Sequence, residues 1–277
     1  MVELNQSCPC KSGSKYRDCC LPLKGLPEFL VTSGMCNEFT ICAERYTLNT
    51  ILKKSKEFKA YFISERSKIA KPVIWGVDPT LSANMRTGEI KGFLNLIILK
   101  KSPISLDDAF EAAHELRHIL LAQQGFPKAS ITDLGLKIGF DTAFATLLLN
   151  LIMDPLVNSG LTQFGFDLWA YYDKASREQR IVKERGLKEP LQNKDRYLEI
   201  LFYIQKALDF ELANTQSSRL SDNFLDWYKM MYPNTVREAT QIINDIKSLG
   251  FDTPDKARLI LTKIVNQFNL NNIIIIS

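Results

Sequence analysis

The chain has 277 residues, 45% of them hydrophobic and 24% charged, with a formal net charge of +4. That is enough apolar material for one large domain or two of ordinary size, and too weak an excess of Lys and Arg to argue for nucleic-acid binding by electrostatics. No apolar run reaches the roughly 20 residues that a membrane span needs, and residues 1–6 lack the basic start and apolar core of a signal peptide. The expected compartment is therefore a reducing cytoplasm, where the six cysteines serve as thiols or metal ligands rather than disulfides.

Four of those cysteines, Cys8, Cys10, Cys19 and Cys20, fall within thirteen residues around the Ser12-Gly13 turn. A segment so short buries too little surface to order itself, but four thiolates converging on one Zn²⁺ supply a folding energy of their own. The stretch resembles the SEC-C zinc motif, C-P-C-x-S-G-x-x-Y-x-x-C-C, with Lys11 standing where Gly is usual. The resemblance covers residues 8–20 and implies a structural zinc and docking to other proteins, without catalysis. A knuckle at residues 1–24 would thus precede a larger domain at 25–277, with a core at about 70–160 and a helical part at about 160–277.

Pro22, Gly25, Pro27 and Gly34 punctuate a linker, and a helical stretch is expected from about 37 to 67, interrupted near 48–50. Cys36 and Cys42, six apart, match neither one helix face nor a zinc pair and read as ordinary thiols. Short strands follow at 72–77, 81–86 and 93–100, separated by Asp78-Pro79 and Thr87-Gly88. The strand at the sheet's edge would be 92–98 or 72–77.

Both histidines of the chain lie in one string, His114-Glu115-Leu116-Arg117-His118. On a helix, positions i and i+4 share a face, so His114 and His118 can offer two imidazole nitrogens to one zinc while Glu115 leans over the ion's water as general base. Ser105 with Asp108 forms a capping box ahead of the helix, and Gly125 stops it, which puts the motif in mid-helix. A long apolar helix is expected at about 134–153, carrying Asn150, Asp154 and Asn158 as a polar stripe at i, i+4 and i+8. Pro155 should bend or end it near Asp154.

The string and the strands before it resemble the zincin metallopeptidases. The downstream N-x-x-x-D resembles the element that completes the site in the gluzincin-like group, which carries E-x-x-x-D. The resemblance implies an α+β fold, a mostly helical zincin-like domain with a small mixed sheet ahead of the metal helix. It also implies an extended peptide held along the sheet edge, Glu115 as catalytic base, and a zinc bound by His114, His118 and a third ligand. Asn150 is a poor ligand, so Asp154 is preferred and Asp141 is the rival; Asp133 is a helix cap. One catalytic and one structural zinc are expected, with a protein or peptide substrate.

Beyond residue 160 the chain reads as helices at about 176–185, 194–212, 223–231, 234–249 and 254–268, ending in a strand-like Ile273-Ile274-Ile275-Ile276. An oxyanion donor is required of a peptidase, for which Tyr171, Tyr172, Arg177 and Arg180 are candidates by type alone. Two other functions stay open: a zinc-stabilised binding or regulatory protein without catalysis, and nucleic-acid binding through Lys11, Lys15 and Arg17.

Overall fold

A computed structural model describes residues 3–10, 12–81, 83–90, 94–169, 193–216 and 223–277. Lys11, Tyr171, Tyr172, Arg177, Arg180 and the helix expected at 176–185 lie outside them. Backbone contacts divide the chain into two compact units, Met1–Leu120 and Leu121–Ser277.

The first unit is built on a four-stranded sheet. Its helices α1 (Leu26–Thr32), α2 (Glu44–Thr47), α3 (Asn49–Lys54) and α4 (Lys56–Glu65) precede or interleave strands β1 (Thr40–Cys42), β2 (Val73–Val77), β3 (Met85–Ile90) and β4 (Leu94–Leu99). The strand order is β1-β2-β4-β3, with β2 and β4 parallel and the outer pairs antiparallel. A small mixed sheet thus comes before the histidine helix, as expected. Its edges differ from the expectation: β2 and β4, read as edge candidates, are both central, and β1 and β3 are the edges. The composition carries the reason, since the run Leu96-Ile97-Ile98-Leu99 is buried throughout, the pattern of a strand covered on both faces. Thr87 and Gly88, read as a turn, lie inside β3, and the helical stretch expected from residue 37 opens instead with β1. Residues 21–34, read as a linker, contain α1 and a short 3-10 turn.

Gly76 on β2 shows why a side chain is missing there. A Cβ on it would fall 2.1 Å from Cζ of Phe39, whose ring lies across the strand and belongs to the cluster formed with Leu30, Leu96 and Ile98.

Helix α5 (Ala109–Gln123) leaves the sheet through a 3-10 turn, Leu106–Asp108. The second unit begins past Leu120 and contains β5 (Ala129–Ile131), α6 (Asp133–Lys137), α7 (Thr142–Thr162), α8 (Asn193–Gln216), α9 (Asn223–Met231), α10 (Pro233–Leu249), α11 (Pro254–Gln267) and β6 (Ile274–Ile276). The isoleucine tail is the strand it resembles: β6 pairs antiparallel with β5. The helix expected at 134–153 is two helices, because Gly139 takes a φ of +91°, which ends α6, and Asp141 starts α7 afresh. Pro155 does not terminate α7, which runs on to Thr162. The ring removes one backbone donor, and burial of Leu148, Leu151, Ile152 and Val157 around it holds the rod. By length and composition α7 is apolar enough to cross a membrane, but 61% of its most apolar window is buried, and it packs against α8, α11 and β5.

Candidate functional site

The cysteine knuckle is shaped by its own backbone. Gly13 has a φ of +81°, and the Ser12 hydroxyl accepts the Ser14 N–H at 3.1 Å, closing the turn. Cys8 N–H donates to Ser14 O at 2.9 Å and Tyr16 N–H to Gln6 O at 2.9 Å, so the strands either side of the turn pair. A 3-10 turn, Tyr16–Asp18, then returns Cys19 and Cys20 to the first pair.

The sulfurs meet. Cys10 Sγ lies 3.3 Å from Cys8 Sγ and 3.4 Å from Cys19 Sγ, and Cys19 Sγ lies 3.9 Å from Cys20 Sγ; all four are within 4.8 Å of one another. A tetrahedron with Zn–S bonds of about 2.3 Å has edges of about 3.8 Å, so the four thiols fit one zinc.

Their acidities are spread by mutual contact. Burial pushes Cys10 up, but hydrogen bonds from Ser12, Cys8 and Cys19 outweigh it and bring the thiol down to about 7. Burial raises Cys20, and the neighbouring sulfurs and the charge on Cys10 and Cys19 raise it further; Cys19 is also raised, first by burial. One bond, Ala43 N–H to Cys10 O at 2.9 Å, ties the knuckle to the end of β1. Cys36 is buried in the sheet's cluster, apart from this group, as an ordinary thiol.

Residues 5–22 match the SEC-C motif. That match covers the knuckle alone, and it assigns nothing to the rest of the chain. No curated protein and no solved structure matches this chain.

The second candidate begins on α5. Ser105 offers both its N–H and its hydroxyl to Asp108 Oδ2, at 2.7 and 2.6 Å, so the expected capping box is present and sets where the helix starts. Ala112, Ala113, Leu116 and Leu120 are buried, while His114, Glu115 and His118 are half-buried. The Nε2 atoms of His114 and His118 point at each other, 2.9 Å apart, with ring centroids 4.6 Å apart. Two imidazoles sharing a tetrahedral zinc need about 3.4 Å between nitrogens, a few tenths of an ångström more than is present. The convergence of the pair is what a two-histidine grip requires.

Glu111 was overlooked in the sequence, although its position three before His114 and four before Glu115 puts it on their face of the helix. Burial raises its pKa, and the charges of Asp108 and Glu115 add to the shift against the lowering effect of Asn84 and His114. Arg117, inside the same string, leaves the histidine face: its guanidinium stands 3.9 Å from Glu65 Oε2. Burial disfavours charge on Glu65, but hydrogen bonds from Lys68 and Ser64 prevail, lowering its pKa and keeping it an anion for Arg117.

In the second unit the two rival aspartates have different employment. Asp141 caps α7, its Oδ1 accepting the Phe144 N–H at 3.0 Å. Asp154 sits in mid-helix, where its Oδ2 accepts a hydrogen bond of 2.7 Å from Gln205 Nε2 on α8. Of its neighbours on the polar stripe, Asn158 is buried and Asn150 half-buried. Asp133 opens α6 but does not cap it; the Thr132 hydroxyl does, accepting the Gly135 N–H.

Proposed function

We propose that the chain is a zinc-dependent peptidase of zincin type, with His114, His118 and Asp154 as the ligands of one zinc and the cysteine knuckle as a second, structural zinc site that docks the enzyme to a protein partner. The observation that carries the reading is the mutual aim of the two imidazoles, the only two in the chain, from one face of one capped helix. Asp154 is preferred over Asp141 because Asp141 is consumed as a helix cap, while Asp154 lies where no cap is needed.

Zinc held there would polarise a scissile carbonyl and acidify a bound water. Glu115, adjoining the first histidine, takes the proton from the attacking water and returns it to the leaving amine. Glu111 lies one turn earlier on the same face, where burial above all raises its pKa. The cysteines need a reducing compartment to stay available as thiolates, which supports a cytoplasmic location.

The test is Glu115→Gln, assayed on a library of fluorescence-quenched peptides with metal content measured in parallel. The variant should hold the same metal and lose hydrolysis by at least about 10²-fold to 10⁴-fold. Undiminished hydrolysis by the metal-loaded variant would reject the mechanism. A second reading, a non-catalytic binding protein, draws on Asn150, which stands where a thermolysin-like enzyme carries a glutamate ligand. It requires about one zinc per chain instead of two.

A further inference from the structure

We infer that Cys19 is a site of oxidation by hydrogen peroxide, with Cys10 as the thiol that resolves it into a disulfide, so that the knuckle exchanges its zinc for a covalent crosslink; this rests on the knuckle as a zinc site and needs no peptidase. Access and distance together select the pair. Cys8 and Cys10 are buried, whereas Cys19 and Cys20 are half-buried, so an oxidant from solvent meets the second pair first. Cys19 Sγ has Cys10 Sγ at 3.4 Å and Cys20 Sγ at 3.9 Å. The adjacent residue is the poorer partner, because neighbouring Cα atoms stand about 3.8 Å apart across a trans peptide and a disulfide asks for about 4.4–6.8 Å. Cys8 and Cys10 lie closer still, at 3.3 Å, but neither is open to solvent to be oxidised first.

Cys10 and Cys19 also stand on opposite sides of the Ser12-Gly13 turn, whose arms the bonds from Cys8 to Ser14 and from Tyr16 to Gln6 already hold side by side. Their crosslink therefore asks for little backbone movement. The Ser12 hydroxyl lies 3.2 Å from Cys19 Sγ, within reach of a hydrogen bond to an oxygen added there.

The chemistry closes without another reagent. The O–O bond of peroxide breaks as the Cys19 sulfur takes one oxygen, giving a sulfenic acid and one water. The Cys10 sulfur then attacks Cys19, and its thiol proton leaves with the hydroxyl as a second water while the S–S bond forms. Two thiols lose two electrons, and one peroxide gains them. A crosslinked pair leaves two thiolates where a structural zinc takes four ligands, so the knuckle no longer holds the metal. The disulfide closes the turn in its place.

The experiment treats the zinc-loaded full chain with hydrogen peroxide, with His114 and His118 replaced by alanine so that the zinc counted belongs to the knuckle. Zinc release is followed with a coloured chelator, and crosslinks are mapped by digestion under non-reducing conditions. About one zinc per chain should leave in step with a Cys10–Cys19 crosslink, and dithiothreitol with added zinc should restore thiols and metal together. Cys10→Ser should stop the sequence at the sulfenic acid, trapped on Cys19 by dimedone, and Cys19→Ser should remove that adduct. A crosslink of Cys8 to Cys10 or of Cys19 to Cys20 would overturn the pairing. Sulfinic acid on Cys19 of the parent, without a disulfide, would overturn the resolving role of Cys10. If the parent chain binds no zinc, the metal reading of the knuckle falls, and the crosslink map still decides the oxidation. Should a serine variant fail to fold, the map of the parent decides alone.

Discussion

Loading of the knuckle should depend steeply on pH, by an amount that follows from the thiols' arrangement. Two thiolates about 3.5 Å apart repel by roughly 5 kcal/mol at an effective dielectric constant of about 20, so four cannot all ionise before a cation arrives. The metal-free group therefore rests with Cys10 about half ionised at pH 7 and with Cys19 and Cys20 protonated. Zinc binds the thiolate form, so protons compete with it, and affinity rises with pH. Uptake of zinc at pH 7 therefore displaces protons from Cys19 and Cys20 and part of that on Cys10, so affinity climbs with pH near neutrality. Calorimetry in buffers of different ionisation enthalpy measures the released protons directly, using the chain with His114 and His118 replaced by alanine to isolate the knuckle. Release of fewer than about one proton would mean that the thiols are already ionised, and would refute the account of their mutual repulsion.

Other perturbations probe the scaffold. Gly76→Ala drives a methyl into the Phe39 ring and should cost about 1–3 kcal/mol in urea unfolding; a neutral result would show that Phe39 can leave the strand freely. Asp141→Ala should lower stability by about 1 kcal/mol while metal stoichiometry stays at two, whereas loss of the second metal would make Asp141 the ligand. Ser105→Ala should cost about 0.5–2 kcal/mol by the same assay without changing cobalt spectra, because it weakens the start of α5 and leaves the histidine face intact.

Much of this was legible from local chemistry. The capping box, the Gly125 stop with its φ of +86°, and the Pro233, Gly250 and Pro254 boundaries of α10 and α11 all act within a few residues of themselves, so the sequence displays them. The cysteine spacing likewise predicted a cluster that the sulfurs form. What failed was non-local. Which strands lie at the sheet's edge depends on β2 meeting β4 across the chain, and no window of ten residues contains that pairing. Pro155 is expected to bend or end its helix and does not, whereas Gly139 ends one: a positive φ cannot be accommodated in a helix, but a missing N–H can when packing on both sides is dense. Gln205 carries no motif, and its hydrogen bond to Asp154 appears only when α8 is laid beside α7.

The placement of β4 has a consequence for how tolerant the protein is to insertion and deletion. Leu94–Leu99 is gripped along both flanks, parallel on one side and antiparallel on the other, so a one-residue slip would have to re-register two hydrogen-bond ladders at once. Only residues 100–104 separate that strand from the serine that starts the histidine helix. Removing one of those residues would draw the helix start inward by about 3.3 Å, whereas added residues between the knuckle and α1 leave this tether untouched. Length variation should therefore be survivable near residue 24 and ruinous just after residue 99.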